Sequence, residues 1–371
     1  MIPILVLVAA VAVGQPAAAQ LDAARLLQIE PRHYVAYRAL GDLRLDGRLD
    51  EPSWQRAPWT EAFVDIEGDV RPQPRFRTRA KILWDDTYLY IAADLEEPDV
   101  WATLTERDAV IYHDNDFEVF IDPDGDTHQY YEFEINALGT EWDLFLVKPY
   151  RDGGPYLSAW DIQGLETAAQ VWGTINNPRD QDQGWSLEMA FPWAVLGECA
   201  HGPAPPADGA QWRINFSRVE WQVQPEPDGD GYHKVAETRE DNWVWSPQGL
   251  INMHFPEQWG YVQFSSRPAG GASADFRLPP EREGQLLLRE IYYRQVEYRR
   301  AHGRYAASLD TLGVAHRLLR SFLWPPRLQA TDHAFEAAVE EVEDLHGDGW
   351  ISTWVIGSDS RLWKADPRQE E

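Results

Sequence analysis

The fold is indicated most clearly by the stretch Asp114-Asn-Asp-Phe-Glu-Val-Phe-Ile-Asp-Pro123. From residue 116 onward, apolar and acidic side chains alternate with the period of a β-strand. Phe117, Val119 and Ile121 fall on one face, which we expect to lie in a core. The acidic residues fall on the other face together with Phe120. The pattern predicts a strand with one apolar face and one face that carries carboxylates.

Similar short segments extend in both directions from this stretch, over residues 34–266. They are rich in aromatic and β-branched residues, and Gly, Pro, Asp and Asn separate them. The clearest are residues 80–84, 88–94, 130–136, 142–147, 185–191 and 212–219. No long amphipathic helix lies between them, which disfavours a parallel sheet with crossover helices. The predicted fold class is mainly β, an antiparallel β-sandwich of the jelly-roll or immunoglobulin-like kind.

The pattern changes after residue 266. Gly, Ser, Ala and Pro dominate residues 267–280, which we predict to be a linker. Over residues 283–302 the apolar positions recur every three or four residues, as in an amphipathic helix. A second short helix closed by Gly313 and several alternating segments follow. Residues 281–371 are therefore predicted to form a small α+β domain.

The N-terminus has the features of a secretory signal peptide. An apolar stretch runs from Ile2 to Val13, and the small residues Ala17 and Ala19 precede Gln20 as in a cleavage site. The stretch is shorter than the roughly 20 apolar residues that span a bilayer. We expect residues 1–19 to be removed, leaving no membrane span and a periplasmic or secreted protein. The alternative is a buried N-terminal helix.

Composition narrows the class of ligand. The 371 residues include 61 Asp and Glu against 33 Lys and Arg, a formal net charge of −28. Nucleic acids and anionic membranes select for clustered basic residues and are disfavoured as partners. Cys199 is the one cysteine, so an intramolecular disulfide and a thiolate-rich metal site are excluded. There are 18 tryptophans, and we expect most of them to be core residues.

Six motifs in order carry a resemblance to a known family. They are Leu45-Asp-Gly-Arg-Leu-Asp-Glu-Pro-Ser-Trp54, Trp84-Asp-Asp-Thr-Tyr-Leu-Tyr90, the stretch from Asp114 to Pro123, Tyr131-Glu-Phe-Glu-Ile-Asn136, Trp212-Arg-Ile-Asn-Phe216 and His254-Phe-Pro-Glu-Gln-Trp-Gly260. Together they make the first domain resemble the family 9 carbohydrate-binding modules. The resemblance implies a β-sandwich, a glycan or oligosaccharide ligand, often a bound calcium ion, and no catalysis by the module itself. It is consistent with a role in polysaccharide catabolism.

The resemblance also implies a set of binding residues. Tyr112 and Glu118 have the spacing of a stacking ring and a hydroxyl-binding glutamate in the family. Glu134 stands where the best-known members have an arginine, and Met253 with His254 stands where they have a second clamp tryptophan. Trp221, Trp243 or Trp245 is expected to supply a ring instead. The candidate ligand-binding residues are Tyr112, Glu118, Glu134, Asn136, Trp221, Met253 and His254.

An acidic loop is a candidate metal site. Asp122, Asp124 and Asp126 present three carboxylates at alternate positions, and calcium prefers such oxygen ligands. The loop is not an EF-hand, because its twelfth position is Phe133. We expect calcium here, assisted by Glu132 or Asp143, or else a solvated turn.

Two further functions remain open. A glycoside hydrolase would need two carboxyl groups about 5 to 10 Å apart, for which Glu118 with Glu132 or Glu188 is the candidate pair. A haem-binding electron-transfer domain of the same sandwich class would use Met253 and His254 as axial ligands. No common catalytic motif is present, so no catalytic residue is assigned. The second domain loosely resembles the soluble part of pilin-like proteins, with a packing or docking domain as the alternative.

Overall fold

The computed structural model describes residues 22–365; the predicted signal peptide lies outside the described residues. The strands of the first domain are β1 His33–Arg38, β2 Val64–Asp65, β3 Thr78–Trp84, β4 Tyr88–Glu96, β5 Asp116–Asp122, β6 Tyr130–Asn136, β7 Glu141–Leu146, β8 Tyr156–Leu157, β9 Glu166–Trp172, β10 Gly184–Pro192, β11 Gln211–Glu220, β12 Val223–Pro225, β13 Tyr232–Lys234, β14 Asp241–Val244 and β15 Gly260–Pro268. Short helices α1 Ala23–Leu26, α2 Pro52–Arg56 and α3 Trp193–Leu196 lie among them. The mainly β fold class is confirmed.

The strands form two half-sheets joined through β1. One half-sheet runs β8-β7-β6-β5-β11-β15, and the other runs β3-β4-β10-β9. Strand β14 pairs with β11 and β2, and β12 pairs with β13 in a separate ribbon. The apolar faces of the half-sheets pack together, so that Phe133 of β6 lies 5.7 Å from Phe191 of β10, centroid to centroid. Phe117, Val119 and Ile121 are all buried in this core, as the alternation predicts.

Strand β1 departs from the predicted antiparallel arrangement. It pairs in parallel with β15 along its length and with β3 at Tyr37 and Arg38. Parallel neighbours need long connections, and here most of the sandwich lies between β1 and β15. The sheet is therefore mixed, since one strand from the start of the domain joins the two antiparallel half-sheets.

Tryptophan burial follows the expected pattern. Trp54, Trp185, Trp245 and Trp259 are among the largest fully buried side chains of residues 22–365. Burying a large apolar side chain stabilises a fold by about 1.5 to 3 kcal/mol. Most of these rings therefore support the sandwich and cannot contact a ligand. Trp172 is an exception, because it is 42% exposed on β9.

The second domain has one long helix packed on a small sheet. Helix α4 Arg282–His302 is followed by α5 Leu309–Leu312, and each ends before a glycine with positive φ, Gly303 or Gly313. Strands β16 Arg327–Ala330, β17 Phe335–Glu340, β18 Thr353–Gly357 and β19 Leu362–Ala365 form the antiparallel sheet. The sequence indicated three of these strands and missed β16. Within residues 22–365, no helix is both long and apolar enough to cross a membrane.

The beginning of the described chain belongs to this second core. Ala23 and Leu26 of α1 are buried with Leu287 and Leu288 of α4. The main-chain N–H of Ala23 also donates a 2.9 Å hydrogen bond to Glu297. Residues on either side of the sandwich in the sequence are thus joined in one apolar cluster.

Buried polar contacts connect the two domains. Tyr292 of α4 donates to Asp152 at 2.7 Å, and Tyr293 of α4 donates to Glu257 at 2.9 Å. Ser360 donates to the same Asp152 at 2.6 Å. Within the first domain, Arg151 pairs with both of these acceptors, Glu257 at 2.9 Å and Asp152 at 3.2 Å. Removing one carboxylate from this buried group is expected to be destabilising, because the Arg151 charge is only 11% exposed.

Candidate functional site

A row of polar side chains crosses the outer face of the larger half-sheet. In the strand register, Ser217 of β11 lies opposite Glu118 of β5, which lies opposite Glu134 of β6, which lies opposite Trp142 of β7. Residues directly opposite in antiparallel strands point to the same side of the sheet. The alternation that buries Phe117 in the core therefore places Glu118 in the middle of this row.

Four carboxyl groups concentrate on this face. Asp116, Glu118, Glu132 and Glu134 are all at most 6% exposed. Burial raises the pKa of Glu118 to about 7. Burial, followed by the repulsion of neighbouring carboxylates, raises the pKa of the other three well above the usual range. The sequence predicted an acidic outer face but not the burial of its carboxyl groups, which depends on the folded surroundings.

Tyr112, one of the predicted binding residues, lies beside the acidic row. It lies in a short 3-10 helix, Ile111–His113, and its main-chain N–H donates to Glu134 at 3.0 Å. The indole N–H of Trp221 donates to the Tyr112 carbonyl oxygen at 2.9 Å. The ammonium group of Lys234 lies 3.3 Å from the Trp221 ring centroid, a cation–π contact. The structure thus brings Tyr112, Trp221 and Glu134 together.

A second aromatic side is formed by a residue that the sequence reasoning missed. The ring of Tyr150 lies 4.3 Å from that of His254 and 5.8 Å from that of Tyr156, centroid to centroid. Burial, and then the nearby charge of Glu132, raises the pKa of the Tyr150 phenol. Tyr150 begins a short 3-10 helix, Tyr150–Asp152, soon after β7, so the available signal was an aromatic residue just outside a strand.

Met253 and His254 lie beneath this second side. Met253 packs against the apolar cluster of Phe120 and Trp259. The Nδ1 atom of His254 is 2.9 Å from the Tyr130 hydroxyl, and its Nε2 atom is 4.0 Å from Glu132. Because both imidazole nitrogens face protein groups, the pair does not fit the axial ligation of a haem.

Other predicted residues have structural roles. Asn136 donates to Leu104 and Asp114 and accepts from the main-chain N–H groups of Leu138 and Thr140, which uses its whole amide in the turn after β6. Trp243 and Trp245 are 3% and 0% exposed and cannot supply a stacking ring. Glu188 accepts from Trp54 and from the main chain at Asp46 and Gly47, which places it away from Glu118.

The loop of Asp122, Asp124 and Asp126 brings three carboxylate oxygens within 4.8 Å of one another. Its side chains already have partners. Asp122 accepts from the N–H groups of Gly125 and Thr127, and Asp126 accepts from Arg361 at 2.8 Å. The oxygen set fits calcium by chemistry and proximity, but an ion would compete with the guanidinium at Asp126. Asp143 belongs to another acidic group and pairs with Arg107 at 2.7 Å.

A cavity of about 670 Å³ has a lining that includes Arg213, Arg277 and Gln285. Its lining contains none of the predicted ligand-binding residues. The candidate site is instead the acidic row itself, with the half-buried rings of Tyr112 and Tyr150 beside it.

Comparison with known proteins gives a consistent classification. A family model described as carbohydrate family 9 binding domain-like matches residues 45–243. The exoglucanase XynX of Acetivibrio thermocellus is 24% identical over 162 residues, which are 44% of this chain and 12% of that enzyme. The matched part of the chain thus corresponds to a small fraction of its curated relative.

Solved structures with a similar fold include a family 9 carbohydrate-binding module from Caldicellulosiruptor kristjanssonii. The structure of the module with cellotriose has 13% sequence identity to this chain and a TM-score of 0.40. The match covers 65% of this chain and 99% of the module. The structure of the module with glucose has 14% sequence identity to this chain and a TM-score of 0.41. The match covers 63% of this chain and 97% of the module. At these values the likeness carries no inference about the ligand of this chain.

Proposed function

The chain belongs to the carbohydrate family 9 binding domain-like family, and on that premise we propose that its β-sandwich binds a neutral glycan between Tyr112 and Tyr150. The observation that carries the proposal is the pair of aromatic sides over a row of carboxyl groups. A sugar presents a weakly apolar C–H face to a ring and hydroxyl donors to acceptors at its edge. Tyr112, with Glu118 and Glu134 beside it, offers both kinds of contact.

In this proposal, the acidic row determines which class of sugar binds. Carboxyl groups accept hydrogen bonds from sugar hydroxyls whether or not they are ionised. Uronic acids and sulfated sugars would bring a further negative charge to a buried acidic cluster, which is unfavourable. Glu134, which replaces an arginine of the best-known family members, strengthens this preference. We therefore assign a neutral glycan to the site.

The wider role is part of the same proposal. We propose that the protein is exported after removal of residues 1–19 and acts in the periplasm or outside the cell. It would bind polysaccharide or its fragments without cleaving them, in support of polysaccharide catabolism. Calcium at Asp122, Asp124 and Asp126 would stabilise the loop next to the second domain. The partner of that domain is not indicated by the sequence.

The test uses the full chain and a panel of neutral oligosaccharides, with charged oligosaccharides beside them. Saturable binding by calorimetry is expected for a neutral member. Tyr112→Ala should weaken it by about tenfold or more, since a ring contact contributes about 1 kcal/mol beyond its buried area. Trp172→Ala, which removes an exposed ring on the other half-sheet, is the matched control. An equal loss of glycan affinity in Tyr112→Ala and Trp172→Ala would contradict the proposal, and so would binding only to charged glycans.

A glycoside hydrolase is the second candidate, because one observation favours it. A carboxyl group with a pKa of about 7, as burial gives Glu118, is suited to donating a proton near neutral pH. Release of reducing sugar from the same oligosaccharides, abolished by Glu118→Gln, would support this candidate over simple binding. We expect no release.

A further inference from the structure

Three buried carboxyl groups on the outer face converge on one point. Oxygen atoms of Asp116, Glu118 and Glu134 all lie within 4.8 Å of one another. The register brings Glu118 directly opposite Glu134 on adjacent strands, and Asp116 is two positions from Glu118 on the same face of β5. The three side chains are 0%, 6% and 2% exposed. Such proximity of like charges is unfavourable unless something compensates for it.

The chain compensates for other buried acidic groups with arginine. Glu97 and Glu220 are paired with the buried guanidinium of Arg218 at 3.2 and 2.8 Å. Glu257 is paired with Arg151 at 2.9 Å. By contrast, Asp116, Glu118 and Glu134 form no ion pair with any Lys or Arg in the described part of the chain. The donors that reach them are neutral: main-chain N–H groups of Val219 and Tyr112, and the Ser217 hydroxyl.

A second observation points to a missing positive partner. The Oε2 atom of Glu132, which is outside this trio, is buried without a hydrogen-bond partner. Glu132 is 5% exposed and lies two positions from Glu134 on the same face of β6. The Oδ2 atom of Asp116 is likewise buried and accepts no hydrogen bond. The Glu132 oxygen lies 4.0 Å from the His254 Nε2 atom, whereas the Asp116 oxygen belongs to the trio itself. Buried polar atoms are normally satisfied, so the free oxygen of Asp116 indicates a ligand that accepts its electron pair.

We infer that Asp116, Glu118 and Glu134 bind a divalent cation, with calcium the best match. All three ligands are carboxylates, and no histidine or cysteine belongs to the group, which disfavours zinc and other softer metals. Calcium accepts mono- and bidentate carboxylates in flexible geometry and needs six to eight oxygens in all. Three carboxylates leave positions open for water. If the proposed glycan site is correct, sugar hydroxyls next to Tyr112 would take some of these positions.

The test measures ion binding without any glycan, so that it succeeds or fails independently of the proposed function. Full-length protein is freed of metal with EDTA and titrated with CaCl2 by calorimetry. It is then titrated with TbCl3, whose luminescence is excited by energy transfer from nearby aromatic rings such as Trp142. Glu134→Gln and Glu118→Gln keep the size of each side chain. Each should weaken calcium binding at this site by about tenfold or more, through loss of ligand charge, and should reduce the terbium signal.

Asp124→Asn is the matched control, because it removes a charge from the separate Asp122 loop. It should leave the terbium signal at the Glu134 site intact. Two results would overturn the inference: metal-free protein that does not bind calcium at millimolar concentration, or binding that is unchanged in both glutamine variants. Circular dichroism checks folding, and if one variant is unfolded the other decides. If the unmodified protein binds calcium at this site but binds no glycan, the proposed function is wrong and the calcium inference still holds.

Discussion

The indole nitrogen of Trp221 donates a 2.9 Å hydrogen bond to the main-chain carbonyl oxygen of Tyr112. This contact fixes the short helix that carries Tyr112 against the strand end that carries Trp221. The Tyr112 N–H is held at the same time by Glu134. The position of the first aromatic ring therefore depends on two neighbours from different parts of the sandwich.

Trp221→Phe should weaken glycan binding severalfold while the protein remains folded. The substitution keeps an aromatic ring but removes the hydrogen bond to Tyr112, whose net contribution is about 1 kcal/mol. Affinity measured by calorimetry checks this. Trp172→Phe is the control, because it also loses one indole hydrogen bond, to Ser186, on the other half-sheet. Unchanged affinity in Trp221→Phe would mean that this contact does not position Tyr112.

Glu257→Gln should destabilise the protein by about 1 to 3 kcal/mol, because the buried Arg151 loses one of two carboxylate partners and keeps Asp152 at 3.2 Å. Urea unfolding of the full chain gives the free energy of unfolding. As a control, Asp348→Asn breaks the exposed contact with Lys364 and should have little effect. A similar small effect from both substitutions would show that the Glu257 contacts with Arg151 and Tyr293 do not contribute to stability.

His254 should make stability fall as the solution becomes acidic. Burial, and then the charge of Arg151, lowers the pKa of His254 from 6.5 to about 3, while Glu132 on β6 lies 4.0 Å from its Nε2 atom. Below pH 6.5, His254 binds a proton in the unfolded chain but not in the folded chain. The free energy of unfolding therefore decreases as the pH falls below 6.5. Between pH 7.5 and 5 this loss is about 2 kcal/mol.

The measurement compares urea unfolding of the protein and of His254→Gln at those two pH values. Buried carboxyl groups such as Glu118 act in the opposite direction, since their raised pKa favours the folded state in acid. The difference between the two proteins isolates the histidine. His333→Gln, at an exposed position, is the control. Parallel pH profiles for the protein and His254→Gln would refute the prediction.

Calcium at the Asp122 loop should raise the melting temperature even without the Glu134 site. In Glu134→Gln, added CaCl2 is expected to raise the melting temperature, and EDTA to reverse the change. Adding Asp124→Asn should abolish the effect, because it removes one of three oxygens that lie within 4.8 Å. If calcium leaves the melting curve of Glu134→Gln unchanged, Asp122, Asp124 and Asp126 form only a turn and a domain contact.

Periodicity in the sequence predicted the strands well. The expected strand at residues 130–136 is observed as Tyr130–Asn136, and the stretch around Phe117 lies in β5 as expected. Alternation also determined that Glu118 and Glu134 leave the core on one face. These features depend on near neighbours along the chain, which a local pattern records.

Contacts between distant segments could not be predicted in the same way. The parallel pairing of β1 joins residues from opposite ends of the sandwich. Strand β7 ends opposite Tyr130, and Tyr150 then packs on His254, a contact that no spacing rule indicates. Asp126 was predicted as a metal ligand, but its contact with Arg361 spans 235 positions of sequence. Long-range packing determines which carboxylates have partners, and a local pattern does not contain that information.

Helix α1 makes the two ends of the described chain interdependent. Because Ala23 and Leu26 fill part of the apolar surface of α4, the second domain is complete only when the residues before the sandwich are present. A fragment that starts at residue 30 would leave α4 with an exposed apolar groove, and so would the second domain expressed alone. The sandwich is therefore an insertion within a discontinuous domain, and cutting at either apparent boundary would separate two halves of one core.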